Sequence, residues 1–95
     1  MFIVLLKFSE NKGQAGEFME AHNQWLKLGF DDDVFLLAGS LQPGLGGGIV
    51  AHNTTRLELE ERVNSDPFVA QNVVSAEILE IDAAKADPRL NFLLT

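Results

Sequence analysis

Cysteine is missing from this chain of 95 residues. Its absence excludes disulfides and thiolate chemistry and leaves the redox setting unmarked. Basic residues are scarce: seven Lys and Arg stand against fourteen Asp and Glu, for a formal charge of −7. Such a field repels polyanions, and no Lys/Arg cluster offsets it, so nucleic acid is excluded as a partner. An anionic membrane surface is excluded on the same ground. No apolar run reaches the length of a membrane span. The opening Met1-Phe2-Ile3-Val4-Leu5-Leu6-Lys7 has neither a basic leader nor a small-residue cleavage site, so a cytoplasmic protein is expected. There is no internal repeat, and no low-complexity segment outside one Gly-rich stretch, Gly44 to Gly48.

What is present suits one small globular domain. A chain of this length removes roughly 60–65% of its unfolded surface from water, enough for one modest core. The hydrophobic fraction of 46% is too high for a disordered segment. The expectation is a single domain over residues 1–95, with a core over 1–82 and a C-terminal tail over 83–95.

Hydropathy along the chain places the elements. Residues 2–8 are short, apolar and partly β-branched, which predicts a buried strand. Over 14–29 the residues Ala15, Phe18, His22, Trp25 and Gly29 recur at steps of three and four, one stripe of a helix, with Gly29 suited to its C-cap. Residues 34–41 predict a second strand, 42–48 a mobile hairpin loop, and 49–52 a third strand antiparallel to the second. Thr55 with Glu58 forms a capping box for a helix to about Val63. Asp66-Pro67 caps a short helix over 68–72, and 73–81 predict the fourth strand. The tail packs back on the domain or on a partner.

Strand, helix, strand, strand, helix, strand is the split βαβ order: an α+β, ferredoxin-like fold with a four-stranded antiparallel sheet. Two helices cover one face of such a sheet. The first two strands are apolar throughout, so the other face would be a large apolar patch, which soluble monomers rarely expose. A homodimer packed sheet to sheet follows.

Few residue types here can carry chemistry. His22 lies on the apolar stripe between Phe18 and Trp25 and points toward the sheet, where an imidazole can pass a proton either way. On residue type alone, a core histidine bonded to a backbone carbonyl comes first. Asp66 before Pro67 is a helix cap in its own right. Its alternative is a carboxylate that meets His22, fixing the tautomer and raising its basicity. Ser40, after Gly39 at the end of the second strand, is an ordinary strand-end serine or a hydroxyl that bonds a ligand. Trp25 is core or pocket wall. His52 at the end of the third strand faces solvent, and Asp31-Asp32-Asp33 is a solvated turn. Neither has the ligand spacing of a metal site. Gly44 to Gly48 leads into a strand, not a helix, and so is no phosphate-cradling motif.

Three segments in order, His22-Asn23-Gln24-Trp25-Leu26, Phe35-Leu36-Leu37-Ala38-Gly39-Ser40 and Asp66-Pro67-Phe68, resemble the YciI-like (YCII-related) proteins over residues 1 to about 82. The resemblance implies a dimeric α+β barrel and a catalytic pair, His22 and Asp66. Two positions depart from that family's pattern: Ser40 stands where Pro is frequent, and Met19 where many members carry an Arg that would clamp a substrate anion. One branch of the family looks like a dehydrochlorinase of a chlorinated hydroxyquinol, and the fold is similar to muconolactone isomerases. This implies lyase or isomerase-type proton chemistry on a small organic ring, with no cofactor. The substrate would sit beside Trp25 and Phe68, with Ser40 as a further contact. Two other readings stand beside it, a non-catalytic ligand-binding homodimer and a structural assembly subunit.

Overall fold

The computed structural model describes residues 1–94. Strand β1 spans Phe2–Phe8. A 3-10 turn at Lys12–Gln14 leads into helix α1, Ala15–Asp31. Strands β2 (Phe35–Leu41) and β3 (Gly46–Ala51) form a hairpin. Helices α2 (Arg56–Asn64) and α3 (Pro67–Ala70) follow, then strand β4 (Val74–Glu80) and a 3-10 segment at Pro88–Leu94. The strands lie in the order β2-β3-β1-β4, and every neighbouring pair is antiparallel. This is the ferredoxin-like α+β arrangement expected from the sequence.

Strand alternation decides what lies where. Phe2, Val4 and Leu6 of β1 are buried under the helices, opposite Ala51 and Ile49 of β3. The helices answer with Trp25 from α1, Leu59 and Val63 from α2 and Phe68 from α3. Ile3 and Leu5 project to the other face, in register with Val50, Leu79 and Glu77. Leu37 pairs with Val50 on that same face and is 60% exposed.

Local chemistry explains the element ends. Thr55 caps α2, its hydroxyl accepting from the Glu58 N–H at 3.2 Å. Asp66 caps α3, with Pro67 in the first turn. The end of α1 departs from expectation. Gly29 does not stop the helix, which runs two residues further to Asp31. The left-handed residue is Asp33, at φ 60°. Its N–H donates to the Phe30 carbonyl and the Val34 N–H to the Gly29 carbonyl, the paired bonds of a Schellman ending, with buried Val34 as the apolar contact. Gly29 is required for packing instead. A Cβ there would sit 2.1 Å from the Phe35 ring.

The Gly-rich stretch also departs. Only residues 42–45 turn, and Gly46 to Gly48 belong to β3 rather than to a mobile loop. Gly46, at φ 134°, packs so close to β1 that a Cβ would lie 1.9 Å from the Leu6 carbonyl oxygen. Past β4, Met1 and Ile81 exchange backbone hydrogen bonds, and the tail folds back so that Phe92 meets His52 edge to face at 5.5 Å.

Candidate active site

The aspartate that starts α3 and the histidine of α1 meet in the core. His22 Nδ1 lies 2.8 Å from Asp66 Oδ1. The same oxygen accepts the Phe68 N–H at 3.0 Å. Capping and pairing thus fall on one atom of one buried side chain. A carboxylate offers only acceptors, so Nδ1 is the donor and carries the ring proton in neutral His22. Asp66 Oδ2 is sealed from solvent without a partner among the described residues, so the carboxylate is held through one oxygen.

Aromatic rings fix the imidazole further. Phe68 stacks on it with centroids 4.0 Å apart and planes 4° from parallel, and Trp25 stacks at 5.8 Å and 26°. Trp25 is itself pinned: its indole N–H donates to the Arg62 carbonyl at 2.9 Å, and its ring meets Phe35 edge to face. Arg62 in turn pairs with Asp32 at 2.8 Å, tying the end of α2 to the end of α1. The rotamer of His22 is therefore set by packing and by Asp66 together.

The imidazole borders a cavity of about 300 Å³ between α1 and the sheet. Met19, Asn23 and Leu26 line it from α1, Ser40 and Gly47 from the hairpin, and Phe68 from α3. Lysine and arginine are absent from its described lining. Nε2 makes no hydrogen bond among the described residues. With Nδ1 protonated, it presents a lone pair, the form of a general base.

The five residues singled out in the sequence separate here. His22, Phe68 and Ser40 line the cavity and Asp66 stands behind His22, while Trp25 does not border the cavity and buttresses the histidine in the core. Asn23 and Gly47 were not singled out. Asn23 could have been, because it lies four residues after Met19 and three before Leu26 on one helix flank. Gly47 carried no such signal, since its strand was read as loop. His52 does not face solvent. Its side chain is only 16% exposed, and its Nε2 is shielded without a hydrogen bond among the described residues, 3.6 Å from Asp33 Oδ1. Among the described residues, no three His, Cys, Asp or Glu side chains gather as metal ligands would, and no helix is long and apolar enough to cross a membrane.

The chain matches no protein-family model and no curated protein. Among solved structures it is similar to 5-chloro-2-hydroxyhydroquinone dehydrochlorinase from Burkholderia phenoliruptrix, in complex with 2,5-dihydroxybenzoquinone. The two share 11% identity over 88% of this chain and 96% of that one, with a TM-score of 0.70, a likeness of fold.

Proposed function

We propose that this chain is a YciI-like, cofactor-independent enzyme that moves a proton on a small, uncharged organic ring, with His22 as general acid/base and Asp66 as its positioning carboxylate. The observation that carries this reading is the clamped imidazole, whose one unpartnered nitrogen belongs to a residue bordering a largely apolar cavity. The reaction needs no charge from elsewhere. Nε2 takes a proton from an acidic O–H or C–H of the ring, and the imidazolium formed is stabilised by Asp66. The freed electron pair either takes that same proton back from the imidazolium at another ring atom, an isomerisation, or forms a new double bond as it expels an anion such as chloride from a saturated ring carbon, an elimination. In the elimination His22 releases its proton to solvent. The lack of a lining cation, with Met19 where an anion clamp would stand, favours a neutral substrate. The dehydrochlorinase activity of the structural neighbour supports the elimination branch.

The active unit in this reading is a homodimer. Ile3, Leu5, Leu37, Val50 and Leu79 share the sheet face opposite the buried Phe2, Val4 and Leu6, and Leu37 and Leu79 are exposed there. A second copy would cover it.

The test is a panel of hydroxylated rings with and without a ring halogen, followed by absorbance and chloride release. His22→Gln should lower turnover by about 10²–10⁴-fold, the usual worth of a positioned acid/base, with an unchanged circular dichroism spectrum. Undiminished turnover in that variant would overturn the assignment.

A further inference from the structure

Three successive glycines stand in β3, and they are there for different reasons. Gly46 has a left-handed backbone and no room beside the Leu6 carbonyl. Gly48 points to the outer face, where a Cβ would press on Leu41 at 3.3 Å. Gly47 has neither constraint. A Cβ there would meet only the Gly39 carbonyl oxygen, at an ordinary 3.5 Å. Glycine inside a strand costs about 0.5–1 kcal/mol relative to alanine, and neither backbone geometry nor crowding accounts for it at this position.

Its location does. Gly47 is on the helix-facing side of the sheet, in register with Leu6 of β1 and Ser40 of β2. Further along β3, the same side carries Ile49 and Ala51, both buried in the core. The filling of the core stops at Gly47, and the cavity beside His22 opens there. We propose that Gly47 is a specificity-determining residue: by withholding a side chain it sets how large a ring can sit beside His22. This deepens the reading of the cavity as a ring-binding site and rests on it. Any side chain at 47 enters the cavity, because strand alternation aims it there and the backbone admits it.

The experiment uses two stable uncharged rings, phenol and 2-naphthol, titrated into the unsubstituted chain, Gly47→Ala and Gly47→Val, with backbone amide shifts at Asn23 and Ser40 as the readout. Valine suits a strand, and alanine keeps the comparison available should the larger variant fold poorly. The unsubstituted protein should bind both rings. Affinity for 2-naphthol should fall through Ala to Val, by about tenfold or more in Val, while phenol changes little. Equal 2-naphthol affinity in all three proteins, or equal loss of both rings, would overturn the role of Gly47 and leave the ring-binding reading intact. Absence of binding by either ring to the unsubstituted protein would overturn both. Turnover of His22→Gln reports on the acid/base assignment separately.

Discussion

The imidazole of His22 lies flat on the phenyl ring of Phe68, centroids 4.0 Å apart, while the Phe68 N–H holds the carboxylate oxygen that holds the imidazole. One residue thus fixes the histidine twice, through its ring and through its backbone. The two contributions are separable, because a substitution at 68 removes the ring and leaves the N–H. Phe68→Leu keeps most of the apolar volume and should cost less than about 1.5 kcal/mol of stability. Turnover should fall further than stability, because the imidazole loses its flat support. Phe68→Ala should destabilise by about 3–5 kcal/mol. Urea unfolding alongside turnover checks the ordering, and parallel losses in Phe68→Leu would show that the stack only packs.

Asp66 carries a cap and a pairing on the same oxygen, and two variants part them. Asp66→Asn retains an acceptor for the Phe68 N–H but no charge to support an imidazolium. Its unfolding midpoint should stay close to that of the unsubstituted protein while turnover drops about 10–100-fold. Asp66→Ala should lose the activity and, in addition, about 0.5–2 kcal/mol of stability from the missing cap. Thermal melts and kinetics on the same preparations decide it. A full-activity Asp66→Asn would reduce the aspartate to a cap.

Two glycines of α1 should respond to alanine with opposite signs. Gly16 has open space around it, so Gly16→Ala should stabilise by up to about 1 kcal/mol through helix propensity. Gly29→Ala would drive its methyl into the Phe35 ring and should destabilise by about 1–3 kcal/mol. Because Phe35 also braces Trp25, the second variant should disturb the His22 ring resonances as well. Equal melting temperatures for the two variants would contradict the packing described.

The outer sheet face gives a prediction about mass. Leu37 is the most exposed of its apolar residues and Leu79 is 42% exposed. If a second copy covers them, light scattering should give about twice the 10.4 kDa of one chain, and Leu37→Asp should reduce it to one. A monomeric unsubstituted protein at high concentration would remove the dimer.

The sequence was informative where one chemical period dominated. The step of three and four through Phe18, His22 and Trp25 set the buried face of α1, and Asp66-Pro67 announced α3. It misled where one residue type had several uses. Gly29 was read as an ending, yet tertiary packing against Phe35 selected it, while Asp33 took the left-handed turn. Gly46 to Gly48 were read as loop because glycine disfavours strands, and the close approach of β1 outweighed that preference. Trp25 reads as core or pocket wall from its stripe, and only three-dimensional contacts show that it packs in the core behind the histidine. Likewise, the contact of His22 with Asp66 bridges 44 residues of sequence, a separation across which residue spacing says nothing.

The double duty of Asp66 has a consequence for comparing chains of this architecture. On the proposed reading, a descendant that gave up proton transfer would still need an acceptor at the start of α3, so folding alone would keep Asp or another capping residue before that proline. The Asp-Pro-Phe segment is therefore a poor witness to activity. His22 has no such second employment. On the proposed reading, His22 is the residue whose replacement would record that proton transfer had been abandoned.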